Sequence, residues 1–175
     1  PMSSSSRLDY CSATVIDGRG NHVASLHGQW DTRTFTELYY QLARRYNDAL
    51  TVVEAGPYGD ASLLVLATNL HYDNIYSERD PVTRKVVRMG KRTTESSKPA
   101  MADNMKEMFE TGVFRSDDKE LLSEMRNFHR APSDSGHVRL RAIAGHDDRV
   151  MSAMLALWAW QEGGWRKHGR RSRII

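Results

Sequence analysis

Leu50-Thr51-Val52-Val53-Glu54 constrains the fold of this chain more than any other stretch. It is short, almost wholly apolar until its last residue, and bounded by turn residues. That pattern reads as a central strand buried on both faces. Such a strand needs helices above and below its sheet, which points to an α/β domain. Glu54 ends it, and in open α/β sheets ligands collect beyond the carboxyl ends of strands. A strand-end carboxylate standing in solvent is the plain alternative.

The rest of the chain supplies the layers. Ser12 to Ile16 reads as a strand, Asp17-Gly18-Arg19-Gly20 as a turn, and His22 to His27 as the returning strand. Asp31 or Thr32 caps a helix with the apolar stripe Phe35, Leu38, Tyr39 and Leu42. After Gly56 a helix is expected from about Asp60 to Asn69. Asn74 to Arg88 reads as a hairpin that turns at Glu78 to Pro81. Met89 to Ser97 is a polar, basic loop, and Ser97 caps a helix carrying Met101, Met105, Met108 and Phe109 that stops at Gly112. Val113 to Arg115 reads as a short strand, and Ser116 as the cap of a helix bearing Leu121, Leu122, Met125 and Phe128. A loop from Ala131 to Gly136 and an edge strand from Val138 to Ile143 follow. The last helix runs to about Gln161, with Met151, Met154, Leu155 and Trp158 on one face. One domain over residues 8–162 is expected, between a flexible leader, 1–7, and a basic tail, 163–175.

Composition narrows the functions open to such a domain. The 175 residues carry 39% hydrophobic and 27% charged side chains, and no apolar run is long enough to span a bilayer. A single cysteine, Cys11, excludes an internal disulfide framework and a cysteine-based zinc cluster, and suits a reducing cytosol. No signal peptide is visible, and no Gly-Lys-Ser or Gly-Lys-Thr phosphate loop is present, which argues against an ATPase within these residues. The net charge is only +3, but positive charge gathers in Arg79 to Arg92 and in Arg166 to Arg173. Such segregation suits a protein that holds a polyanion near a metal; a solvated hairpin and tail are the alternative.

Gly145-His146-Asp147-Asp148 heads the last helix. Gly145 breaks what precedes, and Asp147 can act as the N-cap. The two carboxylates and the imidazole read either as an acidic first turn favoured by the helix dipole or as part of a cation site.

Four segments in this order carry a resemblance: Asp9-Tyr10-Cys11-Ser12-Ala13, Val52-Val53-Glu54-Ala55-Gly56, Lys91-Arg92-Thr93-Thr94 with Lys98-Pro99, and Gly145-His146-Asp147-Asp148. Together they resemble the nuclease domain of the large terminase subunits, the DNA-packaging motors of tailed phages and herpesviruses, from about Leu8 to Trp160. The resemblance implies a ribonuclease H-like mixed central sheet flanked by helices, with an inserted β-hairpin. It implies an endonuclease that cuts concatemeric double-stranded DNA with two Mg²⁺ or Mn²⁺ ions, hard cations that take oxygen ligands. Glu54 and Asp148 match the family's second and third metal-binding acids. Asp147 stands next to the third, and Asp9 matches an accessory acid after the first. Lys91, Arg92 and Lys98 are expected on phosphates, Arg79, Arg84, Lys85 and Arg88 along the DNA backbone, and His146 as an accessory that positions water or phosphate. The resemblance also implies an ATPase domain, a small terminase subunit and a portal protein as partners, no membrane, and the host cytoplasm as location.

The pattern departs in one place. The family's domain opens with a strand carrying a first catalytic Asp, whereas Pro1 to Ser6 here hold neither apolar strand nor acid. Either the sequence starts past that strand or the protein lacks the residue. Two other readings therefore stand beside the nuclease: a catalytically incomplete DNA-binding or motor-docking module, and another ribonuclease H-like nuclease such as a junction resolvase.

Overall fold

The computed structural model describes residues 9–132, 138–142 and 146–163. Strand β1 (Tyr10–Ile16) pairs antiparallel with β2 (His22–Gln29) across the Asp17–Gly20 turn. The Asp17 carboxylate holds that turn by accepting from the backbone amides of Arg19 and Asn21, at 2.8 and 2.9 Å. Helix α1 (Thr32–Arg45) follows at once, capped by Asp31, with Arg44 and Arg45 in the last turn, where the helix dipole favours cations.

The Leu50–Glu54 stretch is extended and two-sided, as expected. Leu50 and Val52 feed one core, with Ile16, Met101, Met105, Val150, Met154 and Leu157. Ala49 and Val53 face the other, with Ala13, Val15, Tyr39, Ala43, Leu66 and Tyr72. β1 alternates in the same way, so helices lie on both faces of this extended layer: α1, with α2 (Pro57–Leu64) hydrogen-bonded to it through Ser62, on one side, α3 (Ser97–Glu110) and α5 (Asp148–Gln161) on the other. This is the α/β layering that the two-sided Leu50–Glu54 stretch predicts.

The pairing of the stretch differs from a continuous ladder. Its backbone meets Ile75 through one parallel bridge at Thr51, and Lys91 through another at Glu54. Between these neighbours the chain leaves and returns as a hairpin, β3 (Ser77–Arg79) with β4 (Val86–Met89), closed at its base by the Gly90 amide donating to the Tyr76 carbonyl at 2.8 Å. The hairpin is thus inserted into the strand beside Leu50–Glu54. It begins three residues later than its sequence pattern predicts, because Asn74 to Tyr76 pair with the core stretch instead.

Other boundaries also move. Helix α2 starts at Pro57 rather than Asp60 and passes into a π-helical turn over Val65–Asn69. Ser97 is inside α3, whose N-cap residue is Ser96. Val113 to Arg115 form no strand; Arg115 makes a single bridge to Asn21. Asp118, not Ser116, caps α4 (Lys119–Asn127), accepting from the Leu121 amide at 3.0 Å; the Ser116 hydroxyl instead meets His22 Nδ1 and accepts from the Asp118 amide. Phe128 leaves the helix and opens β5 (Phe128–Pro132), which pairs with β6 (Val138–Ala142). The expected leader over 1–7, the loop after Pro132, Gly145 and nearly all of the tail lie outside the described residues.

Candidate functional site

Where the start of β1, the end of the Leu50–Glu54 stretch and the start of α5 meet, a cleft of about 760 Å³ opens. Glu54, Asp148, Asp9, Asp147 and Lys98 all line it. The two acids expected to matter most, distant in sequence, therefore face the same space. Asp31 lines it too, but its carboxylate is engaged: it accepts from the amides of Arg33 and Thr34 and from the Thr34 hydroxyl.

Glu54 is fixed through its backbone. The parallel bridge to Lys91 holds one side, and the first turn of α2 abuts its carbonyl so closely that a Cβ on Gly59 would lie 1.7 Å from that oxygen. Its carboxylate is exposed and has no hydrogen-bond or ion-pair partner among the described residues. Asp9 is likewise exposed at the start of β1.

Asp147 and Asp148 are the N-cap and first residues of α5. Asp147 makes no capping hydrogen bond; its Oδ2 lies 3.6 Å from Lys98 Nζ. Asp148 is half-buried, and burial first, then the neighbouring Asp147 carboxylate, raise its pKa above the ordinary value. His146 Nδ1 lies 3.8 Å from Asp148 Oδ2, and the His146 ring meets Tyr10, with centroids 4.4 Å apart. Tyr10 in turn stacks on His27 at 4.9 Å. Burial, then the Arg149 charge, lower the His27 pKa, and its buried Nε2 has no hydrogen-bond partner.

Five carboxylates line one cleft, Asp31 among them engaged with its own helix, and with one ammonium beside them they are short of positive charge. Oxygen donors of this kind suit a hard divalent cation. They do not converge on one point: among the described residues no group of three His, Cys, Asp or Glu side chains stands close enough to hold a metal.

No protein-family model matches the sequence, and no curated protein matches it. Solved structures do. The large terminase nuclease from the thermophilic phage G20c with bound magnesium superposes with a TM-score of 0.70 at 24% identity, covering 87% of this chain and 75% of that one. The same nuclease with bound cobalt gives 0.65 at 22% identity, covering 87% and 81%. The nuclease domain of the Thermus phage P74-26 large terminase gives 0.62 at 21%, covering 89% and 83%. The fold is that of the phage large terminase nucleases.

Within this terminase-nuclease fold the basic residues divide. Lys98 faces the acids, with its ammonium also 5.3 Å from the Phe128 ring centroid. Arg92 is exposed, as are Arg79, Arg84, Lys85 and Arg88 on the β3–β4 hairpin. Lys91 departs from expectation. It is buried, its Nζ lies 2.6 Å from Glu78 Oε1 and 4.7 Å from the Trp158 ring centroid, and it does not line the cleft. Its charge is satisfied inside the protein, which leaves no free face for a phosphate.

Sequence reading missed the residues that hold the cleft in shape. Thr14 and Ser12 on β1 hydrogen-bond the Ser152 hydroxyl of α5, at 2.6 and 3.1 Å, and so tie the two walls together. Glu124 of α4 receives the backbone amides of Arg149 and Val150 and the Arg149 guanidinium. Serines, threonines and a helical glutamate carry no motif; only the alternation of β1 hints that Ser12 and Thr14 share a face.

Proposed function

We propose that this chain is the nuclease domain of a viral DNA-packaging terminase large subunit, over residues 8–162, and cuts concatemeric double-stranded DNA by a two-metal-ion mechanism. The observation that carries the reading is Glu54 and Asp148 on one cleft of a terminase-nuclease fold. The magnesium and cobalt in two solved structures of that fold support a divalent cation here, Mg²⁺ or Mn²⁺. Glu54 and Asp148 would hold it, with Asp9 and Asp147 beside them. When bound, such ions neutralise charge on the phosphodiester and lower the pKa of an attacking water.

The chain's own residues account for the rest. Lys98 balances Asp147 and reaches a phosphate that enters beside it. His146, exposed next to Asp148, accepts a hydrogen bond from, or donates one to, water at the rim. Arg92 and the hairpin cations Arg79, Arg84, Lys85 and Arg88 follow the DNA backbone, a contact that is sequence-neutral and weakens with salt. The partners proposed are double-stranded DNA, an ATPase domain, a small terminase subunit and a portal protein, and the place is the host cytoplasm. No helix among the described residues is long and apolar enough to cross a membrane.

The test is Glu54→Ala and Asp148→Ala in a plasmid-nicking assay with Mn²⁺. Each is expected to lower cleavage at least a hundredfold, since catalytic electrostatics of this kind contribute about 10²–10³ per group. Unchanged cleavage in both removes the proposal. One observation favours a second reading, a catalytically incomplete DNA-binding module: no three acids converge among the described residues. Calorimetric titration separates the two, because Mn²⁺ binding no tighter than millimolar with DNA binding retained points to the incomplete module. Preference for branched over linear duplex points instead to a junction resolvase.

A further inference from the structure

The N-cap of a helix normally turns its side chain back onto the amides of the second and third helical residues. Asp31 does this for α1, accepting from Arg33 and Thr34, both at 3.0 Å. In α5 the equivalent amides belong to Arg149 and Val150, and both are taken by a residue of another helix. Glu124 Oε2 accepts from the Arg149 amide at 2.9 Å and from the Val150 amide at 3.3 Å, while its Oε1 accepts from Arg149 Nη1 at 3.1 Å. Both partners are largely sequestered, with side chains 11% and 20% exposed. Asp147, at the N-cap position, is left with no capping bond and lies toward Lys98 in the cleft.

The geometry points to Glu124 as a positioning residue: by capping α5 in place of Asp147, it keeps the Asp147 carboxylate in the cleft and sets the first turn that carries Asp148. A carboxylate at these amides is favoured by their hydrogen bonds and by the helix dipole, so the acid that is better placed and better supported holds them. Glu124 reaches them from α4, and the Arg149 guanidinium holds it there. Without Glu124, Asp147 stands at the N-cap position, from which an aspartate side chain ordinarily accepts from these amides. The metal-site part of this inference rests on the nuclease reading; the capping part does not.

The experiment is a thermal double-mutant cycle on the metal-free chain, with a Mn²⁺ titration beside it. In the unaltered background Asp147→Ala removes no cap and should shift Tm by less than about 2 °C. In the Glu124→Ala background Asp147 has become the cap, and Asp147→Ala should lower Tm by a further 2–4 °C or so, the scale of one lost cap in a chain of this size. Glu124→Gln keeps an oxygen on the amides, so in that background Asp147→Ala should again shift Tm by less than about 2 °C; this variant also decides the matter if Glu124→Ala does not fold. Mn²⁺ affinity should fall about tenfold in Glu124→Ala, the scale on which partners behind a ligand act, and return to within about threefold in Glu124→Gln. Equal Tm shifts from Asp147→Ala in all three backgrounds overturn the inference. If the unaltered chain binds no Mn²⁺, the metal reading fails, and the thermal cycle alone upholds or overturns the capping role of Glu124.

Discussion

Gly59→Ala tests whether the cleft is built as described, because two physical effects give it opposite signs. Gly59 lies in the first turn of α2, and helix propensity alone makes alanine there more stable by about 1 kcal/mol. Packing says otherwise. An alanine Cβ would stand 1.7 Å from the Glu54 carbonyl oxygen and 3.3 Å from Val53 Cγ1. Restoring an ordinary contact of 3.4 Å requires that α2 or the Glu54 backbone give by about 1.7 Å, and the obstacle is main chain with no rotamer to change. Overpacking of that kind costs about 1–3 kcal/mol, or a Tm lower by about 2–4 °C for each kcal/mol in a chain of this size. The displacement falls on the residue proposed to hold the cation, and a misplacement of about 1 Å is enough to cost on the order of 10²-fold in rate. Gly56→Ala is the control. Gly56 is extended, with φ at 169°, and a Cβ there meets nothing within 4 Å, so stability should change by no more than about 1 kcal/mol and cleavage hardly at all. Thermal melting and Mn²⁺-dependent nicking of both variants decide the question. A Gly59→Ala chain that melts at or above the parent temperature and cuts at the parent rate refutes the reasoning.

Three further outcomes are expected. His22 is half-buried, its Nδ1 engaged with Ser116 and its Nε2 donating to the Ala24 carbonyl, and burial lowers its pKa below the ordinary 6.5. The unfolded chain therefore takes up a proton that the folded chain resists: this contribution is whole above pH 6.5 and is lost as pH falls toward the folded value, so a Tm–pH curve should drop there and His22→Gln should flatten it. Lys91→Ala leaves the Glu78 carboxylate without its partner and should lower stability by about 1–3 kcal/mol, read by denaturant melting; an unchanged midpoint contradicts the internal role given to Lys91. Arg92→Ala should leave Tm within about 1 °C yet weaken binding to any duplex sequence and lower the salt slope by about one, measured by titration at several salt concentrations.

Much of the fold was legible because burial imposes period on sequence. The alternation from Ala49 to Val53 divides cleanly between two cores, and it is the same alternation that marked a strand buried on both faces. The stripe Met101, Met105 and Met108 lies buried as its spacing predicts. The pairing of Asn74 to Tyr76 was not legible. A turn flanked by two β-like triplets looks like one hairpin, yet the first triplet buries Tyr76 and half-buries Ile75 beside the core stretch, whereas every residue from Pro81 to Met89 is exposed. Burial outweighed the local turn signal and moved the hairpin outward. Lys91 fails for a related reason: in a run of cations the sequence does not show which one lies beneath a tryptophan and beside a glutamate.

The acids of the cleft show where reading by motif stops. Asp31 and Asp147 each precede a helix, and local sequence describes them alike, as caps favoured by the helix dipole. Their fates differ. Asp31 binds its own helix, and its hydrogen bonds, that from the Thr34 hydroxyl first, hold its pKa below the ordinary value, so it offers little to a ligand. Asp147 is displaced from the same role by Glu124 and remains in the cleft beside Asp148, which burial and Asp147 itself hold above the ordinary carboxylate range. The difference lies in Glu124, on a helix with no motif of its own, and becomes visible only when α4 packs against α5. Acids in such a cleft that remain open to a ligand are therefore separated from those that are not by asking which backbone amides are already taken, and Glu54, whose carboxylate has no partner among the described residues, is open in the way its proposed role requires.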